Sequence, residues 1–93
     1  MAVLDDDAIA RELATVPAWA RVDDAIVRTT KAESFLAGLD LVVVVGRAAE
    51  DVDHHPDIDI RWRTLTFTLS THSEGGLTAK DFDLARTIDG LLG

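Results

Sequence analysis

The chain contains no cysteine and no tyrosine, a single methionine, two prolines, and nine Lys and Arg against seventeen Asp and Glu. Without cysteine no disulfide can compensate for small size. Few groups remain that exchange protons near neutral pH, where imidazole is the natural carrier. A formal net charge of -8, with no Lys/Arg cluster to offset it, repels a phosphate backbone, which argues against direct nucleic-acid binding. The longest purely aliphatic run, Leu41 to Val45, falls far short of the roughly 20 apolar residues a membrane span requires. At the N-terminus Asp5-Asp6-Asp7 places acid where a secretory or mitochondrial leader needs base. These readings predict a soluble, cytoplasmic protein.

With 47% hydrophobic and 28% charged residues the composition is globular. Ninety-three residues suit one domain, residues 1–93, and no repeat, low-complexity tract or linker divides it. A chain of this size buries only about 60 to 65% of the surface its unfolded form exposes, so self-association is the expected extra source of burial.

Leu4, Asp5 and Ile9 have the pattern of a hydrophobic staple around an N-cap, and Ile9, Leu13 and Val16 form a helical stripe that ends near Pro17. Trp19–Val22 and Ala25–Thr30 read as a hairpin around Asp23-Asp24, although that turn lacks glycine. Val42 to Val45 has strand propensity. In the wider window, however, Phe35, Leu39, Val42, Gly46 and Ala49 recur at four and three spacing, which predicts one helix from about residue 33 to 53. Its middle is apolar nearly all round, so one face can cover a sheet while the other needs a partner. Beyond Pro56, Ile58, Ile60 and Trp62 occupy even positions and Leu65, Phe67 and Leu69 odd ones, so a second hairpin is expected at Arg63-Thr64. A Gly75-Gly76 loop then precedes a last helix opened by a Thr78/Asp81 capping box, with Leu84, Ile88 and Leu91 as its buried stripe.

All three histidines fall between positions 54 and 72. Glu50 and His54, four apart, would share a helix face. Taken alone, His54-His55-Pro56 also fits an ordinary helix terminator, Asp81 fits a cap, and Trp19 and Trp62 fit sheet or core positions. His72 follows a strand at its exit, where loops commonly carry function, beside the hydroxyls of Ser70 and Thr71. Three histidines with Glu50, Asp53 or Asp81 could in principle ligate zinc, but no His-x-x-x-His pair or zinc signature is present, so no metal is expected. No Gly-x-Ser-x-Gly elbow is present.

The pattern Glu50-x3-His54-His55-Pro56-x5-Trp62-x9-His72-x8-Asp81 resembles the signature of the pterin-4a-carbinolamine dehydratases. The likeness extends to Trp19, Ile26-x-Arg28, Leu69-Ser70-Thr71-His72 and Gly76-Leu77-Thr78. It departs at Thr30 and Lys31-Ala32, where members typically carry aromatic residues leading into the helix. The resemblance implies an α+β fold in two layers. A leading helix is followed by two β-β-α units, with a four-stranded antiparallel sheet carrying helices on one face and assembling into homodimers or homotetramers.

It further implies dehydration of 4a-hydroxytetrahydropterin to quinonoid dihydropterin, with pterin as substrate, no cofactor, and a pterin-dependent hydroxylase as a possible partner. On this resemblance the catalytic residues are His54, His55 and His72: His54 and His72 are the acid/base pair, and His55 orients the ring and can share in proton transfer. Glu50 holds His54, Asp81 anchors His72 or its loop, and Asp53, Pro56, Ser70 and Thr71 support the site while Trp19 closes it. Relatives that look like coactivators or assembly factors leave a non-catalytic protein-binding module as the alternative.

Overall fold

The computed structural model describes residues 3–93. Helix α1 (Asp6–Leu13) is followed by β1 (Ala20–Val22), β2 (Ala25–Lys31), the long helix α2 (Phe35–Val52), β3 (Asp57–Arg61), β4 (Thr64–Leu69), a short 3₁₀ turn (His72–Glu74) and helix α3 (Ala79–Leu92). The four strands form one antiparallel sheet in the order β1-β2-β4-β3. The expected α+β architecture is therefore present.

Asp5 caps α1 by accepting from the Ala8 amide at 2.8 Å, and Ile9 is buried as the staple pattern predicts. The helix ends at Leu13, before Val16, which is nevertheless buried in the core. Both hairpins turn on two residues. Asp23 and Trp62 adopt φ of 54° in them, a left-handed conformation that Asp tolerates far better than Trp.

The parity change between β3 and β4 is this second turn, centred on Trp62-Arg63 and so one residue earlier than expected. It pairs Ile58 with Phe67 and Ile60 with Leu65, placing even and odd positions on one face. Trp62, expected within the alternating strand, instead stands 68% exposed in the turn with the Arg63 guanidinium 5.2 Å from its ring.

That shared face is the core. Ile26, Leu65, Phe67 and Leu69 from the sheet meet Ile9, Val45, Phe82, Ala85 and Ile88 from the helices. The other face carries Thr29, Thr64, Thr66 and Thr68, with the Thr29 and Thr66 hydroxyls 3.2 Å apart across a paired position. Burying each large side chain contributes about 1.5–3 kcal/mol.

Ser34 caps α2, accepting from the Ala37 amide at 3.0 Å, so the helix runs through the four valines as the wider periodicity required. Lys31 still pairs in β2 despite the missing aromatics, and the Ala32 amide donates to the Arg63 carbonyl at 2.8 Å. In α3, Leu84 and Ile88 are buried but Leu91 is not: Leu92 packs on the core in its place while Leu91 turns outward. Among the described residues no helix is long and apolar enough to cross a membrane.

Candidate active site

The site forms at the end of the sheet where β3 begins and β4 leaves. Helix α2 stops at Val52 because Asp53 takes a left-handed conformation (φ 50°) and its amide donates back to the Glu50 carbonyl. The residue before a proline also disfavours helix, so His55 ahead of Pro56 cannot extend it. The chain thus leaves the helix axis one residue before the histidine pair.

This exit corrects the expected Glu50–His54 pairing. The Glu50 carboxylate meets Nε2 of His55, and both side chains are exposed. His54 is turned inward, its side chain only 11% exposed, with Nε2 2.6 Å from Oδ1 of Asp81. An i, i+4 relation holds only while the helix continues, and here it has ended.

Asp81 is fully buried and serves two purposes at once. Its Oδ2 accepts from the Thr78 amide at 2.9 Å, completing the predicted capping box of α3, and from the Thr71 hydroxyl at 2.8 Å. Its Oδ1 faces His54. Thr71 and Thr78 hydroxyls lie 2.8 Å apart, so these buried polar groups form one closed network. No buried side-chain polar atom is left unpaired among the described residues. A buried carboxylate is tolerable only under such compensation.

As a carboxylate Asp81 can only accept, so Nε2–H of His54 is the donor to it, and Nδ1 has no partner among the described residues. Of the two expected roles, Asp81 therefore takes the second: His54 occupies Oδ1, so it does not hold His72 itself, while the Thr71 hydroxyl on Oδ2 anchors the loop that carries His72. His72 opens the 3₁₀ turn, exposed and without a side-chain partner among the described residues. Gly75 ends that turn with φ 73°, and its amide donates to the His72 carbonyl at 3.1 Å.

Asp53, His54, His55, Ser70, Thr71, His72, Ser73 and Lys80 line a cleft of about 360 Å³. All three histidines thus reach one cavity from two chain segments. The hydroxyls of Ser70 and Thr71 are not free for a ligand, however. Ser70 donates to the Asp24 carbonyl at 2.6 Å, tying down the first hairpin, and Thr71 is spent on Asp81. Pro56 is half-buried at the start of β3.

Trp19 does not close the cleft. It is buried in the core, its Nε1–H donating at 2.8 Å to Asp89, which also accepts from Arg28 at 2.5 Å. Asp89 lies eight residues beyond Asp81, about 12 Å along α3. Two tryptophan contacts, core and indole hydrogen bond, are thereby satisfied far from the histidines. Lys80 and Ser73, absent from the expected set, do line the cleft. Nothing in their spacing marks them.

Behind His54 a second, smaller cavity of about 130 Å³ is bounded by Val52, Asp83, Leu84 and Thr87, with His54 and Lys80 common to both. Among the described residues no three His, Asp or Glu side chains are gathered as a metal-ligand set.

Residues 2–91 match the family model described as pterin 4 alpha carbinolamine dehydratase. The chain is 61% identical over 89 residues to a Nocardia farcinica protein, covering 96% of this chain and 94% of that one. It is 56% identical over 93 residues to a Mycobacteroides abscessus protein, covering 100% and 99%. Both carry provisional names as pterin-4-alpha-carbinolamine dehydratases. Among solved structures, a Brucella melitensis protein titled a transcriptional coactivator/pterin dehydratase superposes with a TM-score of 0.93 at 30% identity, over 98% of this chain and 99% of that one. By sequence and by fold the chain thus stands in a class of small dehydratases. The chain belongs to the pterin 4 alpha carbinolamine dehydratase family.

Proposed function

We propose that the protein is a hydro-lyase that converts 4a-hydroxytetrahydropterin to quinonoid dihydropterin. In this reaction the C4a–O bond breaks, the hydroxyl takes a proton and leaves as water, N5 gives up its proton, and a C4a=N5 double bond forms. One group must protonate the oxygen and another must accept from nitrogen. His54 and His72 form that acid/base pair, each contributing about 10² to 10⁴-fold. His55, steadied by Glu50, orients the ring, and Asp53, Pro56 and the backbone of Ser70 and Thr71 support it.

The observation that carries this reading is the convergence of three imidazoles on one cleft, with Nε2 of His54 held 2.6 Å from the carboxyl group of buried Asp81. A side chain already held in its reacting orientation loses little freedom when substrate arrives. The elimination changes no oxidation state and so needs no redox cofactor, and a general acid with a general base suffices for it without a metal. Pterin recycling in the cytoplasm beside a pterin-dependent hydroxylase is the physiological setting this chemistry suits.

Exposed Leu36, Val43, Val44 and Val52 on α2 support assembly with a second copy, as a homodimer or homotetramer. The same surface, with the coactivator half of the Brucella protein's title, supports the alternative of a protein-binding module.

Stopped-flow mixing with freshly generated 4a-hydroxytetrahydropterin, with chelator present, tests the enzymatic reading. The wild type should accelerate water loss, and His54→Ala and His72→Ala should each lower kcat by about 10² to 10⁴-fold. A chain that leaves the spontaneous rate unchanged would refute it.

A further inference from the structure

We infer that Lys80 is a substrate-orienting residue of the histidine cleft, donating from its rim to an acceptor atom of the bound heterocycle. The inference rests on the dehydratase reading and adds a residue to it.

Lys80 belongs to the walls of both cavities that flank His54, a position shared only by His54 itself. Its backbone is fixed there: the amide donates to the Thr78 hydroxyl at 3.3 Å in the first turn of α3, adjoining buried Asp81. The histidine network and the base of the Lys80 side chain are therefore held by the same helix cap. Lys80 needs no separate element to place it beside the cleft.

Its charge is also uncommitted. In a chain of net charge -8, the Lys80 ammonium has no ion-pair partner among the described residues. Asp83, one helical turn on and the natural candidate, is paired instead with Arg86 at 3.2 Å.

Apart from His72 and the Ser73 hydroxyl, which can donate or accept, the other hydrogen-bonding side chains in the cleft wall sort by what they offer. The hydroxyls of Ser70 and Thr71 are spent internally, and Nε2 of both His54 and His55 faces a carboxylate. Asp53, whose carboxylate has no partner among the described residues, supplies an acceptor. Lys80 supplies the permanent donor. A neutral pterin ring has an amide-like donor edge and a carbonyl oxygen, so it can satisfy a carboxylate and an ammonium together.

Such a contact is made equally in the ground and transition states, so its loss should appear in KM rather than kcat. For Lys80→Met we expect KM for 4a-hydroxytetrahydropterin to rise roughly tenfold with kcat within about twofold of wild type. Lys80→Arg, which keeps the charge and donors, should restore most of the affinity. Equilibrium binding of 7,8-dihydropterin should weaken in the same order.

An active wild type with an unchanged KM in Lys80→Met would overturn the inference and leave the dehydratase reading standing. So would an equal loss in the Met and Arg variants, because charge would then not be the cause. A wild type with no activity and no pterin binding would remove both.

Discussion

At the end of the sheet where β3 begins, three polar side chains, Thr71, Thr78 and Asp81, are buried with every hydrogen-bonding atom engaged. At the opposite end, around the Trp62-Arg63 turn and the first turns of α2, apolar side chains stand in solvent: Phe35 is 49%, Leu36 66% and Trp62 68% exposed. The first region spends its interior on a polar network that contributes little net stability but fixes geometry. The second leaves burial unrealised. A 93-residue chain has little stability to spare, so the contrast separates what the fold holds for chemistry from what it leaves for contact.

The largest effect is expected at Asp81. In Asp81→Ala the Thr78 amide, the Thr71 hydroxyl and His54 all lose their acceptor inside the protein, which should cost about 3–5 kcal/mol in urea unfolding. Asp81→Asn sharpens the test. Its amide oxygen can keep Thr71 and Thr78, while its NH₂ group faces His54 Nε2 and forces the imidazole proton onto Nδ1. Folding should then suffer far less than kcat, which should fall by about 10² to 10⁴-fold. Equal losses of stability and rate would mean that the network is scaffolding alone.

A middle-sized effect is expected on α2, where Val43 and Val44 are exposed at 52% and 39%. If a second copy covers this surface, Val43→Lys with Val44→Lys should shift the mass seen by light scattering from oligomer to monomer. The monomer should unfold at about 1.5–3 kcal/mol lower stability, the scale of returning to water the roughly half of each valine that a partner would cover. An unchanged mass would show that the exposed valines are not the seam.

Much of the fold could be read from spacing because its determinants are local. The α2 period, the parity change across the second hairpin and the Thr78/Asp81 capping box each span fewer than twenty residues, and each predicted its element. Trp62 was misplaced because alternation continues formally into a turn whose positive φ no side-chain pattern announces. The histidines and their supporting carboxylates were legible as a set by residue type, with the family likeness adding their roles. Their pairing was not. Asp81 meets His54 across 27 positions, through tertiary packing that no helical or strand period encodes. One local signal was available: Asp53, a residue type that tolerates left-handed backbone, ahead of a histidine pair whose second member, His55, is held out of helix by Pro56. Read that way, the helix ends before His54 and Glu50 passes to His55.

The smallest effect follows from that exchange of partners. The Glu50 and His55 side chains are 76% and 53% exposed, so their contact is screened by water and should contribute under about 0.5 kcal/mol to folding. Glu50→Gln should therefore leave urea unfolding unchanged within error. An amide can still accept from Nε2 of His55, so kcat/KM should fall by less than about threefold, against the much larger loss expected for Asp81→Asn. The comparison is informative because both substitutions replace a carboxylate facing a histidine Nε2 by an amide of the same shape. They differ in burial, and so in whether the imidazole can find water instead. If Glu50→Gln matched Asp81→Asn in rate, solvent would not be what distinguishes the two histidines, and His55 would have to be moved from orienting the ring to exchanging its protons.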